Sequence, residues 1–369
     1  MENLVDKNLF QGIYKNRKVL VTGHTGFKGS WLCLWLKQMG AEVCGYSLPS
    51  PTSPSHFEEL NLDMKSVIGD IRDQSLVLKT FEEFQPEIVF HLAAQPLVRY
   101  SYENPDETFE SNVMGSLRIY EAVRKVDSVK ALVSITTDKV YHNDESGKAY
   151  SEDDRFGGKD PYSASKAAME ILTASYIHSF FNIDDYGSKH NVLVSPVRAG
   201  NVIGGGDWAQ DRLIPDIVKA TIEERPVVIR SPDSTRPWQH VLESLSGYLL
   251  LGQKLLEGNS SVAGAYNFGP SVDEDITVEQ VVKCLKKYWN KINYQIERPD
   301  VAYHEASLLK LDSQKAIDSL EWSPVWSSFE ALENTITWYK DFYESEELSS
   351  LECLNSYIAE ARKKASAWI

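Results

Sequence analysis

Tyr162 and Lys166 lie four residues apart in Tyr162-Ser163-Ala164-Ser165-Lys166, a spacing that puts both side chains on one face of a helix. Free tyrosine titrates at about 10 and is a poor base at neutral pH. A neighbouring ammonium stabilises the phenolate and lowers that value, which makes the pair a candidate for taking a proton from an alcohol. Thr136-Thr137, at the end of the apolar run Ala131-Leu132-Val133-Ser134-Ile135, would add a hydroxyl to position that alcohol. A lone tyrosine–lysine pair at this spacing is commonplace on helix surfaces. What selects the chemical reading here is its order in the chain, after a glycine-rich turn and a strand ending in Thr-Thr-Asp.

That turn is Thr22-Gly23-His24-Thr25-Gly26-Phe27-Lys28-Gly29, between a short β-branched run and a helical pattern. Glycines three apart let the backbone turn tightly, approach a pyrophosphate and pack a helix close to a sheet. The spacing is GxxGxxG, so the stricter GxGxxG fingerprint is not met. The acidic residue usual at the end of the second strand is also missing, with Tyr46-Ser47-Leu48 there instead. No arginine stands ready for a 2′-phosphate, so NAD is favoured over NADP. Its positive nicotinamide ring would help lower the tyrosine pKa, and Lys166 could bond the nicotinamide ribose. Gly23, Thr25, Gly26, Phe27, Lys28 and Gly29 are the expected cofactor contacts. His24 and Lys28 could face the phosphates or the solvent. Asp70-Ile71 could flank the adenine, and Asp70 could equally be a solvated loop carboxylate.

These groups need a scaffold. Strands are expected at Lys18–Thr22, Glu42–Tyr46, Ser66–Ile68, Ile88–Phe90, Ala131–Ile135 and Val192–Val194, with helical segments between them, clearest at Thr108–Val126 and Ser163–Phe181. Such alternation predicts an α/β fold: a Rossmann-type doubly wound parallel sheet covered on both faces. Past about residue 200, glycine, proline and arginine cluster and the alternation breaks down. The expected division is therefore an NAD-binding Rossmann domain over residues 1–198 and a smaller, mainly substrate-binding C-terminal lobe over 199–369. A helix near 240–257 should return to the first domain, and the stretch from Ser345 should be helical. No internal repeat is found.

Composition narrows the field. The 369 residues, 42% hydrophobic and 25% charged, are those of an ordinary globular chain. A net charge of −15 argues against nucleic acid and membrane surfaces as partners, since polyanions are repelled at long range. It leaves room for a small anionic ligand held by a few arginines. Cys33, Cys44, Cys284 and Cys353 have no CxxC spacing or paired histidines, so neither a metal nor a disulfide is expected. With a polar N-terminus and no apolar run long enough to span a bilayer, the expected setting is the cytoplasm.

Longer motifs carry a resemblance. The chain from about Asn16 to Trp326 resembles the extended short-chain dehydrogenase/reductase family. Its family-level signals are Thr22–Gly29, His91-Leu92-Ala93-Ala94-Gln95, Asn112-Val113-Met114-Gly115 and Tyr162–Lys166. Within it, four segments resemble the CDP-glucose 4,6-dehydratases: Thr137-Asp138-Lys139-Val140-Tyr141, Arg198 to Trp208, Asp211 to Asp216 and Arg236-Pro237-Trp238-Gln239-His240.

The resemblance implies bound NAD, returned unchanged, and conversion of CDP-glucose to CDP-4-keto-6-deoxyglucose and water. Tyr162 would take the 4-hydroxyl proton with Thr137 and Lys166 in support, and Asp138 would protonate the departing 6-hydroxyl. Lys139 stands where related dTDP-glucose dehydratases carry a glutamate. It would be either a base kept partly neutral by burial and nearby positive charge, or an electrostatic stabiliser of the enolate. Leu92, Ala93 and Ala94 would line the cofactor; Gln95, Asn112, Asn201, Arg212 and Arg236 would face the substrate. For Arg212 a surface salt bridge is as good a reading. Trp208 could stack on the base, with a core role favoured, and His240 reads as a packed histidine. A homo-oligomer, dimer or tetramer, is expected through helices such as Thr108–Val126 and Ser163–Phe181. Two alternatives share the scaffold: a sugar-nucleotide 4-epimerase, which would not need Asp138-Lys139, and a dehydratase for another nucleotide sugar. A non-catalytic dinucleotide sensor would need neither Tyr162 nor Lys166.

Overall fold

The computed structural model describes residues 6–271, 276–297 and 309–369. Seven short apolar runs form one sheet: β1 (Lys18–Thr22), β2 (Glu42–Ser47), β3 (Lys65–Ile68), β4 (Ile88–His91), β5 (Ala131–Ile135), β6 (Leu193–Ala199) and β7 (Tyr266–Phe268). Their order is β7-β6-β5-β4-β1-β2-β3, and every pairing is parallel.

Successive side chains of a strand point to opposite faces, and the two cores divide accordingly. Val19, Val21, Ile88, Phe90, Ala131 and Val133 face one core, while Leu20, Val89, Leu132 and Val194 face the other. The first face is covered by α1 (Phe27–Gln38) and the second by α2 (Gln74–Phe84), α3 (Ser116–Lys125) and α4 (Pro161–Phe180). Both faces are covered, as a parallel sheet requires.

The expected strands are present, and a seventh, β7, was not foreseen. The helix expected over Thr108–Val126 starts earlier, at Pro105, and is interrupted by a π turn over Glu110–Gly115 before α3.

Beyond β6 the chain forms α5 (Leu213–Ile222), α6 (Val241–Leu256), α7 (Val278–Tyr288), α8 (Ser328–Glu344) and α9 (Ser350–Lys363). Short strand pairs join these elements, such as Val202–Ile203 with Gln239–His240 and Thr235–Arg236 with Ile276–Thr277. Helix α6 packs against β5 and α1, which explains why even Glu243, Ser244, Ser246 and Gln253 are buried along with its leucines. The first core runs on without a break into Trp322, Trp326 and Trp338. Among the described residues no helix is long and apolar enough to cross a membrane, and no side-chain group could hold a metal ion.

β1 is followed by β2 and β3 on one side, and the chain then returns to β4 on the other. A crevice opens at such a switch point, beyond the carboxyl ends of the strands.

Candidate active site

The glycine turn leaves β1 beside the loop that leaves β4. Gly23 has φ of 76°, and a Cβ there would lie 2.8 Å from the Ala93 nitrogen; one on Gly29 would lie 2.1 Å from the Gly23 oxygen. Only glycine fits either place. Thr22 Oγ1 accepts the Ala93 N–H at 3.1 Å and bonds His91 Nδ1 at 2.7 Å, while His91 Nε2 reaches Ser116 Oγ at 2.9 Å. Burial pushes His91 down to about 3, so it is neutral and serves as a strut between the end of β1 and the start of α3.

The other members of the turn part company. His24 faces neither solvent nor crevice: it is buried, bonds Ser66 Oγ at 2.7 Å, and lies where a Cβ on Gly45 would be 2.2 Å from its ring. Burial lowers its pKa to about 4. Thr25 Oγ1 bonds Ser47 Oγ at 2.8 Å and donates to the Leu48 carbonyl at 3.0 Å, so hydroxyls occupy the end of β2 where an acid is usual. Lys28 points toward the reacting residues. Burial, with Arg212 and Lys166 near it, lowers its pKa to about 8, against the pull of Asp138. Asp70 is ion-paired with Arg72 at 2.6 Å, and Ile71 is buried against Gly115.

Asp160 caps α4 by accepting the Ser163 N–H, the Ser163 hydroxyl returns to the Asp160 nitrogen, and Pro161 starts the helix. This fixes Tyr162 in the first turn. Tyr162, Lys166 and Glu170 then share one face, all buried. Burial pushes Tyr162 up to about 12, offset in part by the hydrogen bond with Thr137 and the charge of Arg212. The expected help from Lys166 is absent within the polypeptide: its ammonium donates to the Ile135 carbonyl at 3.1 Å, and burial lowers its pKa to about 8.

The structure also separates the two threonines. Thr136 donates to Glu170 and Val197, whereas Thr137 faces Tyr162 and donates to Asp138 Oδ1 at 2.9 Å. Asp138 is 5% exposed, and burial holds its carboxyl above the usual range, against Lys139, Thr137 and Lys28. That environment suits an acid that must carry a proton. Lys139 corrects the expectation of a buried lysine: it is exposed, with Nζ 5.9 Å from the centroid of the Tyr162 ring. The short 3-10 turn at Asp138–Val140 sends Asp138 inward and Lys139 outward.

Of the expected substrate residues, Arg212 lies near Tyr162 and Lys28 and is ion-paired with Asp207 at 2.7 Å. Asn201 sits past β6 with φ of 36°, and Arg236 is half-buried in the short strand Thr235–Arg236. Gln95 and Asn112 are engaged by the chain itself. Asn112, turned inward by the π turn and out of contact with solvent, bonds the Gln95 backbone through both amide atoms and also reaches Ser165. The Gln95 carboxamide bonds Thr108 and Leu97. Both therefore shape the loop after β4. Trp208 packs against Trp338, Tyr339 and Phe342, and its Nε1 donates to Tyr343, so it packs onto the first core. His240 is likewise packed, against Trp31 and Trp326.

A network that the sequence reading did not single out underlies the site. Arg198 donates through Nε and Nη2 to the two oxygens of Glu170, at 2.7 and 3.0 Å, and through Nη1 to the Tyr141 hydroxyl. The Tyr141 hydroxyl in turn donates to Asn267 Oδ1 on β7 at 2.8 Å. The loop from Thr136 to Tyr141 is thus tied at both ends to β6, α4 and β7. Its signal was in the chain: Glu170 follows Lys166 at the spacing by which Lys166 follows Tyr162.

With this geometry, comparison with known proteins becomes informative. Residues 20–335 match a family model described as GDP-mannose 4,6 dehydratase. The chain is 48% identical over 347 residues to a CDP-glucose 4,6-dehydratase of Salmonella typhimurium, covering 94% of this chain and 95% of that one. It is 28% identical to a dTDP-glucose 4,6-dehydratase of Xanthomonas campestris, covering 87% and 92%. A UDP-glucose 4-epimerase of Thermus thermophilus, solved with NAD, superposes with a TM-score of 0.74 at 25% identity, over 88% of this chain and 99% of that one. The chain therefore belongs to the GDP-mannose 4,6 dehydratase family, within the extended short-chain dehydrogenases/reductases, and is most like CDP-glucose 4,6-dehydratase.

Proposed function

We propose that this protein is an NAD-dependent CDP-glucose 4,6-dehydratase, producing CDP-4-keto-6-deoxyglucose and water. The observation that carries the reading is the buried Asp138, its carboxyl held above the usual range by burial, beside Thr137 and Tyr162, in a chain 48% identical to a CDP-glucose 4,6-dehydratase. Simple epimerisation at C4 has no use for such an acid.

The residues present fit NAD. Gly23 and Gly29 leave the backbone bare where a Cβ could not fit, and α1 presents its N-terminal N–H groups at the same point. Phe27 and Lys28 open that helix, Leu92, Ala93 and Ala94 flank it from β4, and Lys166 is within the site. Bound there, NAD supplies a hydride acceptor for C4 of the sugar and later the hydride donor to C6, so it leaves unchanged.

The chain's own residues move the protons. Tyr162, bonded to Thr137, takes the proton of the 4-hydroxyl, and the charge of Arg212 favours the phenolate that forms. The ketone at C4 acidifies the C5 proton. As that proton passes to solvent water, the C6–O bond breaks, and Asp138 gives its proton to the departing hydroxyl, which becomes water; once C6 has taken back the hydride, C5 and Asp138 each regain a proton from solvent. Lys139, outside the buried shell but facing the Tyr162 ring, stabilises the enolate charge. Arg212, Arg236 and Asn201 hold the nucleotide diphosphate from the C-terminal lobe.

Incubating the protein and NAD separately with CDP-glucose, dTDP-glucose, GDP-mannose and UDP-glucose, followed by mass spectrometry, tests this. Loss of one water from CDP-glucose alone is the expected result. Water loss from another sugar nucleotide would keep the chemistry and overturn the substrate. No mass change in any mixture would overturn the dehydratase and turn the search to epimerisation, followed by NMR.

The same reading makes the protein a homo-oligomer. Tyr102, Ile171 and Phe180 are exposed apolar side chains on or near α4, which supports pairing of that face with a second copy. Light scattering after gel filtration gives the mass. We place it in the cytoplasm, where its four cysteines, all free, would stay reduced.

A further inference from the structure

Asp138 owes its place to a residue on another strand. The chain leaves β6 through Gly200, and a Cβ built there would lie 2.2 Å from Asp138 Oδ2, 2.7 Å from its Cγ and 3.3 Å from its Cβ. The backbone at Gly200 is not in the left-handed region, so turn strain is not the reason for a glycine. Space for the Asp138 carboxyl is the reason.

The backbone at Gly200 is also anchored. Gln239 Nε2 donates to the Gly200 carbonyl at 3.1 Å and to the Phe268 carbonyl at 2.9 Å, and the Gln239 nitrogen donates to the Asn201 carbonyl at 3.3 Å. Two residues earlier, Arg198 is fixed by Glu170. A side chain at position 200 cannot be relieved by backbone retreat, so the carboxyl must move.

We infer that Gly200 is a positioning residue that seats the Asp138 carboxyl for elimination; this rests on the dehydratase reading above. Asp138 touches the reacting sugar in that reading, and Gly200 acts only through it. Oxidation at C4 depends on Tyr162, Thr137 and Lys166, and Gly200 reaches these only through the hydrogen bond from Thr137 to Asp138 Oδ1. The glycine therefore governs whether an oxidised sugar goes on to lose water.

The test is a double-mutant cycle of Gly200→Ala and Asp138→Ala, read by water loss from CDP-glucose, by reduced-nicotinamide absorbance, and by Tm. Gly200→Ala is expected to slow water loss on the order of 10²-fold, the usual worth of a general acid, while reduced cofactor still forms. It should also lower Tm. With Asp138 cut back to alanine the added methyl meets only the Cβ, at 3.3 Å, a contact that a small shift relieves, so the double variant should match Asp138→Ala in water loss and lose much less Tm than Gly200→Ala does in the native background.

Water loss by Gly200→Ala within about twofold of the native rate would overturn the inference. So would equal Tm losses in both backgrounds, or failure of both Gly200 variants to fold, because either places the clash in the backbone. A native protein that dehydrates no sugar nucleotide would overturn the dehydratase reading instead. The Tm cycle needs no substrate and would still decide whether Gly200 seats Asp138.

Discussion

Glu170→Gln keeps the shape of a side chain at the base of the site and removes its charge. In the native chain that carboxylate meets two nitrogens of Arg198 and the Thr136 hydroxyl, and the two charged side chains are 1% and 2% exposed. The variant leaves the guanidinium buried without a counter-charge and turns an amide N–H₂ toward other donors. Removing one partner of a buried pair costs about 3–5 kcal/mol. An unfolding entropy of about 2.1 cal/mol/K per residue gives about 0.8 kcal/mol/K over 369 residues. The expected fall in Tm is therefore about 4–6 °C, read by scanning calorimetry. Because Thr136 adjoins Thr137, kcat should fall with little change in KM for the sugar nucleotide. An apolar pair, Glu170→Leu with Arg198→Met, should recover much of the lost stability, since no charge is then stranded. A Tm within about 1 °C of native together with unchanged kcat would refute the reasoning.

The remaining predictions concern single groups. Tyr162→Phe should lower water loss by roughly 10²–10⁴-fold, the range of a lost general base, with Tm unchanged, as followed by mass spectrometry and thermal scanning. Lys139→Met should slow dehydration roughly tenfold, less than a buried donor would cost because solvent screens the ammonium; an unchanged rate would remove Lys139 from the chemistry. Glu243 on α6 is pushed up to about 7 by burial, against the Trp326 and Val325 N–H groups and the Tyr357 hydroxyl. The folded state thus holds a proton that the unfolded state has lost, so this group's stabilisation is full below the ordinary glutamate range and is lost as pH rises toward 7. The Tm difference between native protein and Glu243→Gln should shift against the native chain over that interval, and a constant difference would contradict the assignment.

The sheet was legible where burial on both faces leaves unbroken apolar runs, as in Leu20-Val21 and Leu132-Val133. Strand β7 was not, because Tyr266-Asn267-Phe268 is too short to show a period and lies in a glycine-rich stretch. The π turn at Glu110–Gly115 was invisible for a different reason: its sequence is ordinary for a helix, and the bond from Asn112 to the Gln95 loop is a tertiary fact. At the site, residue type and order singled out Tyr162 and Lys166, and the family resemblance singled out Asp138. They could not tell that Lys139 points outward, since a short turn reverses direction within one residue. Nor could they separate Thr136 from Thr137, whose difference depends on which one meets Glu170. Gly200 lay in a motif already noted, but a glycine needed for space looks the same in sequence as one needed for a bend.

The late arrival of β7 bears on how the molecule is made. A nascent chain that has reached Ala199 has every strand of the sheet but one, and it lacks α6 over the face formed by Val19, Phe90 and Val133. Until Tyr266 emerges, the edge of β6 offers unpaired backbone groups to any neighbour. Pairings across so long a stretch of chain form slowly, because the closure entropy comes before the contacts that offset it. The first half of the chain is thus exposed to aggregation on the ribosome for as long as the second half takes to be synthesised.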